Sequence, residues 1–280
     1  MLRLFYNLSI ISLLVLVTSC FKEDEAVTPH KPGNYVTDTV ALTDSYKNQV
    51  YYNLHDSLAV STVLKSSWDL GFECSPLGWR VILNSASFMK SAYLEGQVFG
   101  SAADTTGAKW IFNPSDGSAD SLAIGKWFTI SGNDTIGTNR LMVIDRGMDE
   151  FGESLGFCQL VIDSLANGIY YFRVATLDGK NPKSYAVSKI SGNNHALFSI
   201  TNPASKVSEP GNTSWDLLFS QYTTLLFTDV GEPYPYLVTG VLLNNRFVEV
   251  AVDSVTPFAD INFEKAQKMN FTRQADRIGY

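Results

Sequence analysis

The chain has 280 residues, of which 45% are hydrophobic and 12% aromatic, enough to build a substantial core and to exclude global disorder. Its formal net charge is −7, and the sequence contains no run of Lys and Arg that could follow a phosphate backbone. Nucleic-acid binding is therefore not expected. The length allows one large domain or two modest ones.

The N-terminus predicts a lipoprotein leader. A short basic segment, Met1-Leu2-Arg3, precedes an apolar run at residues 4–17 that is too short to span a bilayer. Small residues then lead directly into Cys20, as in bacterial lipoprotein signal peptides, whose cysteine is lipidated and becomes the mature N-terminus. We predict a signal peptide at residues 1–19 and stable attachment of Cys20 to the outer membrane through acyl chains, with an ordinary signal peptide as the alternative.

Residues 20–45 predict an acidic, flexible tether. The segment Phe21-Lys22-Glu23-Asp24-Glu25 resembles the surface-export signal of Bacteroidetes lipoproteins, with a plain solvated tether as the alternative. Prolines and a glycine follow, as is typical of a spacer. We expect the globular part to be held off the outer membrane on the cell surface.

The remainder predicts an all-β fold of antiparallel sheets, because short apolar runs alternate with turn residues. Only one short helix is predicted, at residues 258–269. The predicted strands are residues 50–54, 68–72, 79–83, 92–99, 109–112, 126–130, 140–144, 158–162, 169–175, 184–190, 196–200, 225–228, 237–243 and 247–252.

One motif occurs twice: Ser67-Trp68-Asp69-Leu70-Gly71-Phe72 returns as Ser214-Trp215-Asp216-Leu217-Leu218-Phe219. An apolar run precedes each copy, and the long spacing indicates a duplicated strand unit rather than a solenoid. Alternation places the tryptophan, leucine and phenylalanine on a core face. Asp69 and Asp216 fall on the opposite face, where we expect each to accept backbone N–H bonds at the strand entry. A catalytic carboxylate pair is the alternative.

Together these features resemble the HmuY-like haem-binding lipoprotein family of Bacteroidetes. The resemblance rests on the leader and tether, the first Trp-Asp strand at residues 68–72, the Asn-ending strand at residues 80–84, and the hairpin at residues 170–187. It implies a non-enzymatic surface lipoprotein that captures haem or a related tetrapyrrole between two loops. It also implies delivery of that haem to an outer-membrane receptor, of the TonB-dependent class.

The resemblance covers roughly residues 45–200, so we predict an HmuY-like β domain at residues 46–200 and a second Trp-Asp unit at residues 201–280. The second unit is short. Either its strands complete the sheet of the first unit, or the chain is truncated at Tyr280.

The histidine ligands for haem iron that the family implies are missing from the expected part of this sequence. The better-known ligands are two histidines in loops, but no histidine occurs between Asp69 and Tyr170. The chain has its histidines at His30, His55 and His195. Methionine is the alternative ligand among relatives, and a thioether is competent for haem iron. Met148, in a loop, is the better candidate, whereas Met142 lies inside an apolar strand that predicts a core position.

The missing histidines motivate a second hypothesis, a surface interaction module for protein or glycan that has the same fold without haem binding. Four aromatic residues suggest themselves as a sugar platform or, alternatively, as core: Trp110, Trp127, Tyr234 and Tyr236. A flat apolar slot at Met148 would favour haem, and its absence would favour the interaction module.

Enzymatic and metal motifs do not emerge from the sequence. We find no nucleophile elbow, zincin histidine pair, phosphate-binding loop or dinucleotide fingerprint. The acidic residues Asp145, Asp149, Glu150 and Glu153 crowd one loop, but their spacing matches no EF-hand and favours a solvated loop over Ca²⁺ binding.

Two modifications stay open at this level. Cys74 and Cys158 could form a disulfide in an exported protein or stay as buried free thiols. Asp followed by Ser or Thr recurs, as in Asp104-Thr105-Thr106 and Asp253-Ser254-Val255, and resembles an O-glycosylation acceptor or simple turn chemistry.

Overall fold

The computed structural model describes residues 37–131, 134–244 and 246–273. The predicted signal peptide, Cys20, most of the tether and Tyr280 lie outside them. The main compact unit comprises Asp38–Thr256 and the residues after 260. The other unit contributes Thr37 and Pro257–Asp260, with a 3₁₀ turn at Phe258–Asp260.

The regular secondary structure in the described part of the main unit is almost entirely β-strand. Its α-helix, α1 (Phe263–Ala266), is a single turn. In chain order the strands are β1 (Asn48–Asn53), β2 (Leu58–Leu64), β3 (Leu70–Glu73), β4 (Val81–Leu83), β5 (Lys90–Tyr93), β6 (Ile111–Phe112), β7 (Phe128–Ser131), β8 (Asp134–Gly137), β9 (Met142–Asp145), β10 (Phe157–Ala166), β11 (Ile169–Thr176), β12 (Lys183–Ser188), β13 (His195–Phe198), β14 (Leu217–Phe227) and β15 (Pro233–Leu243).

These strands form three antiparallel sheets, which confirms the all-β prediction. A four-stranded sheet has the order β15-β14-β1-β2, and a three-stranded sheet has the order β13-β3-β4. The largest sheet has eight strands: six follow the order β12-β11-β10-β9-β5-β6, and β8 pairs with both β10 and β7.

The main core lies where the three-stranded sheet packs against β10 and β11. Phe72 contacts Tyr170 and Phe172, with ring centroids 5.0 and 4.9 Å apart, and Phe198 meets Phe172 edge-on at 5.0 Å. Burying each such ring contributes roughly 1.5–3 kcal/mol, and the pair geometry adds to this. The stripe that begins at Trp68 is therefore a core face, as its alternation predicts.

The opposite face of β3 is buried as well, which alternation alone did not predict. Asp69 is fully enclosed, and a Cβ at Gly71 would lie 2.7 Å from a side-chain carbon of Ile82. Glycine is thus required where β3 and β4 approach most closely. In the second copy, Trp215 is buried but Leu217 and Phe219 are only partly covered.

The two motif copies exchange their neighbouring strands. β13, which precedes the second copy in sequence, pairs with β3 of the first, with Phe198 opposite Leu70. β1, which precedes the first copy, pairs with β14 of the second, with Tyr52 opposite Leu217. Strands from either side of the predicted boundary at residue 200 therefore share sheets.

An asparagine closes each motif copy by the same hydrogen bonds. Asn84 Nδ2 donates to the carbonyl oxygens of Lys65 (2.5 Å) and Trp68 (2.8 Å). Asn244 Nδ2 donates to the carbonyl oxygens of Asn212 (2.7 Å) and Trp215 (2.9 Å). Both side chains are buried, so these bonds satisfy backbone groups that water does not reach.

The C-terminal elements differ from prediction. Residues 247–252 form no strand beyond a single bridge between Val250 and Thr272. The predicted helix shortens to α1, which Asn262 caps by accepting the backbone N–H of Lys265 (3.0 Å). A short helix has few hydrogen bonds to offset the cost of forming its first turn, so the weak helical pattern at residues 258–269 is not enough to form a longer helix. Within the described residues, no helix combines the length and apolarity needed to cross a membrane.

The Asp-Ser/Thr segments at Asp104 and Asp253 make turns, whereas those at residues 134–136 and 163–165 lie within β8 and β10. Asp104 Oδ1 accepts the backbone N–H of Thr106 (2.9 Å), and Asp253 Oδ1 accepts those of Val255 (2.9 Å) and Thr256 (2.8 Å). These are the turn bonds expected of such residues. O-glycosylation stays a prediction.

Cys74 and Cys158 are buried free thiols. Burial raises the pKa of Cys158 to about 12, and burial likewise raises the pKa of Cys74 above its ordinary value. The thiolate is the reactive form, so both thiols are unreactive for two reasons: reagents cannot reach them, and they stay protonated.

We therefore predict that neither thiol reacts with an aromatic disulfide reagent at about pH 8 in folded residues 21–280, whereas both react once the chain is unfolded. Thiol release followed by absorbance measures this. A Cys158→Ser variant should release one thiol after unfolding. Rapid release from the folded protein, or none after unfolding, would contradict the assignment of two buried free thiols.

Candidate functional site

The first Trp-Asp motif holds the loop at residues 146–156, which carries Met148. Asp69 Oδ1 accepts Nε of Arg146 (2.8 Å), and Asp69 Oδ2 accepts the backbone N–H of Ile200 (2.7 Å). Arg146 also donates to the carbonyl oxygen of Leu155 (3.0 Å), which closes the loop from inside. The buried Asp69 thus joins β3, the segment after β13 and the Met148 loop.

The second motif uses its aspartate similarly but without a guanidinium. Asp216 Oδ2 accepts the backbone N–H of Leu54 (2.7 Å), just as Asp69 accepts that of Ile200. Each aspartate accepts a backbone N–H, but from a residue just after the end of a distant strand rather than from the turn that leads into its own strand. That distant strand precedes the other motif copy, because the copies exchange strands.

Gly147 lets the Met148 loop approach the 3₁₀ turn at Ser85–Ser87. Its φ is +68°, and a Cβ there would lie 1.7 Å from the carbonyl oxygen of Ser87. The backbone N–H of Met148 donates to that same oxygen (2.8 Å). A residue with a side chain at position 147 would push the loop away.

Met148 lies beside a surface cavity of about 210 Å³, and its side chain is 41% exposed. The cavity is enclosed by the Met148 loop, the turn at Ser85–Ser87, and the base of the β14–β15 hairpin. Its polar lining includes Lys65, Asp149, Glu150 and Gln221.

The two methionine candidates are not brought together. Met142 is 1% exposed, lies in β9 within the main core, and does not line this cavity. Met142 packs against core residues, whereas Met148 is exposed at the cavity. The cavity is smaller than typical ligand pockets of about 300–1,000 Å³, and charged side chains accompany its apolar surface. A tetrapyrrole would need the loop or the hairpin to move.

The β14–β15 hairpin projects beyond its sheet. β1 pairs only with the first residues of β14, up to Phe219, and the remainder of the hairpin pairs with itself as far as Phe227 and Pro233. We call residues 220–240 the ribbon. Large apolar side chains are exposed along it, at Leu225, Phe227, Val230, Tyr234 and Tyr236.

One face of the ribbon continues from the cavity. Directly opposed residues in an antiparallel pair share a face. The cavity-side face therefore contains Gln221, Thr223, Leu225 and Phe227 with their partners Thr239, Leu237, Pro235 and Pro233. Thr223 Oγ1 donates to the carbonyl oxygen of Ser85 (2.8 Å), which fixes the base of the ribbon beside the cavity.

The predicted aromatic platform separates. Trp127 is buried in the main core, and Trp110 packs partly buried against a smaller cluster. Tyr234 and Tyr236 remain exposed together on the ribbon face opposite the cavity. The sequence missed Lys65 altogether, since Leu64 and Ser66 beside it give no signal of burial.

A second cavity, of about 350 Å³, is lined by Arg146 and by the apolar side chains of Phe157, Tyr185 and Ile200. The guanidinium there is already bonded to Asp69. No buried side chain of this cavity lacks a hydrogen-bond partner within the described residues. Its lining also contains polar and charged side chains, Thr176, Asn181 and Lys183 among them.

The acidic loop is divided among separate partners. Asp145 pairs with Lys90 (3.4 Å), Asp149 Oδ1 accepts the backbone N–H groups of Phe151 and Glu153, and Glu150 Oε2 accepts the hydroxyl of Ser66 (2.6 Å). In the part of the chain that the structure describes, no three His, Cys, Asp or Glu side chains cluster as a metal ion requires.

Comparison with protein-family models, with curated proteins and with solved structures finds no match to this chain. The HmuY-like resemblance therefore stays a prediction from motifs.

We predict that Asp69→Asn lowers the free energy of unfolding by about 3–5 kcal/mol, because it leaves Arg146 buried without its carboxylate. The matched change, Asp216→Asn, should cost about 1 kcal/mol, since it weakens one bond to a backbone N–H at a half-buried site. Urea unfolding followed by tryptophan fluorescence measures both. Equal losses would show that the ion pair does not set the stability of this region.

Proposed function

We propose that this chain is a non-enzymatic interaction module, displayed on the outer-membrane surface by lipid on Cys20, that binds a partner protein through the ribbon. The observation that carries the proposal is the exposed apolar surface of the ribbon, where Phe227 is 65% exposed. Several large apolar side chains exposed on one hairpin are typical of a surface that a partner covers. Tyrosine and phenylalanine are also enriched in the cores of protein interfaces.

The ribbon supports recognition by side chains rather than by strand addition. β15 is the outer strand of its sheet, and an open edge normally accepts another strand. Pro233 and Pro235 near the tip have no N–H to donate, which blocks a continuous ladder there. The flanking apolar faces are left to make the contact. The HmuY-like resemblance suggests a TonB-dependent receptor of the same membrane as the partner.

The ribbon proposal predicts site-specific crosslinking. A photoreactive phenylalanine analogue at position 227, in cells that make the protein, should give one dominant protein adduct on illumination. The matched control places the analogue at Leu77, which is 94% exposed in the β3–β4 connection, away from the ribbon strands. We expect no such adduct from position 77. Identical adducts from both positions, or none from 227, would overturn the proposal.

Haem binding at Met148 is the second candidate function. The observation that favours it is the exposed thioether beside a cavity, at the loop position that the resemblance singles out. Binding would require the Met148 loop to open, since the cavity is small.

The haem candidate is tested by titrating residues 21–280 with haem, oxidised and reduced, and following the Soret band. It predicts a saturable, shifted band that Met148→Ala abolishes and that Met269→Ala, a methionine outside the cavity, preserves. A spectrum equal to that of free haem would exclude this function, and equal loss in both variants would exclude Met148 as the ligand.

A further inference from the structure

The cavity at the foot of the ribbon contains a buried ammonium group. Lys65 is only 5% exposed, and its Nζ donates to Oε1 of Gln221 (2.7 Å). Among the described residues no carboxylate oxygen lies within 4.0 Å of this nitrogen. Burial lowers the pKa of Lys65, because it desolvates the ammonium, while the charges of Glu150 and Asp149 act in the opposite direction.

The ammonium is incompletely satisfied by the protein. An ammonium carries three N–H donors, and Gln221 accepts one of them. A buried charge is costly unless hydrogen bonds compensate for the lost water. Since both residues line the cavity, an oxygen atom within it would be the natural further acceptor.

The cavity also offers hydrogen-bond acceptors. Glu150 Oε2 accepts the hydroxyl of Ser66 (2.6 Å), which orients the carboxylate and leaves Oε1 unbonded within the described residues. Asp149 Oδ1 accepts backbone N–H groups of its own loop and likewise leaves Oδ2 unbonded there. Ser87, in the cavity wall, is buried, and its hydroxyl has no partner in the described chain.

These charges select the class of ligand. One ammonium against two carboxylates leaves the cavity net negative, which repels a phosphate or a carboxylate. Hydroxyl groups both donate and accept, so a neutral polyol can satisfy Lys65, Asp149 and Glu150 together. Phe88 and Met148 add apolar surface for the C–H groups of such a ligand.

The volume selects its size. At about 210 Å³ the cavity lies below the range of about 300–1,000 Å³ that is usual for drug-sized ligands. A ligand on the scale of one six-membered sugar ring matches it better than a long chain does.

We propose that this cavity binds a single neutral sugar ring, with Lys65 donating to its hydroxyls and Asp149 and Glu150 accepting from them. The site adds a carbohydrate-binding function to the protein-binding ribbon. The cavity and the ribbon share Gln221 and Leu237, but they can be altered separately, because Lys65 and Glu150 lie outside the ribbon and Phe227 does not line the cavity.

The test titrates residues 21–280 with D-glucose, D-galactose and D-mannose at millimolar concentrations, using ligand-observed NMR and calorimetry, with D-glucuronate as the charged match. We expect saturable binding of at least one neutral hexose and weaker binding of glucuronate. Lys65→Met removes the ammonium but keeps an unbranched apolar stem, and it should weaken hexose binding roughly tenfold or more, as should Glu150→Gln. The control Lys268→Met, at an exposed pair with Glu264, should bind as the unaltered protein does.

The outcomes separate the two proposals. Absence of binding by all three hexoses, equal binding of glucuronate, or unchanged affinity in Glu150→Gln would overturn the sugar site. Should Lys65→Met fail to fold, Glu150→Gln decides alone, since its side chain is only partly buried. Ribbon crosslinking from position 227 should persist in Glu150→Gln, and Phe227→Ser should keep its hexose affinity, so failure of one proposal is distinguishable from failure of the other.

Discussion

The buried ion pair between Asp69 and Arg146 is the interaction on which the rest of this structure depends. One carboxylate oxygen of Asp69 accepts a hydrogen bond from Arg146, which holds the Met148 loop. The other oxygen accepts the backbone N–H of Ile200, which holds the chain after β13. A buried carboxylate is tolerated because both oxygens are bonded and its charge is paired. The Met148 loop therefore has a fixed position against β3, and this position gives the cavity one of its walls.

Strand exchange between the motif copies makes the fold cooperative. β3 pairs with β13, and all strands of the eight-stranded sheet lie between them in the sequence. The pairing of β1 with β14 spans a still longer stretch of chain. Neither Trp-Asp copy completes its sheet alone. Such pairings between distant segments lower the folding rate, since loop closure precedes the contacts that compensate for it. They also explain why both aspartates take their backbone donors from the far copy.

The cavity and the ribbon depend on this arrangement in different ways. The backbone of Lys65 is held because its carbonyl oxygen accepts a hydrogen bond from the side-chain amide of Asn84, the residue after β4. The asparagine that closes the first motif copy therefore also positions a residue of the cavity lining. Gln221 reaches the same ammonium from β14, a strand of another sheet. The ribbon leaves that sheet beyond Phe219, and its exposed apolar faces carry no role in the core. A polar site and an apolar surface thus meet at the base of one hairpin.

The sequence by itself determined what local pattern can report. Alternation gave the antiparallel all-β class, the buried stripe at Trp68, and the contrast between Met142 in a strand and Met148 in a loop. The leader, the lipid on Cys20 and the HmuY-like resemblance are predictions of the same local kind. Only the tertiary structure decided the strand exchange, the partners of Asp69 and the burial of Lys65. These depend on which distant segments pair, and a residue's neighbours along the chain carry no information about that choice.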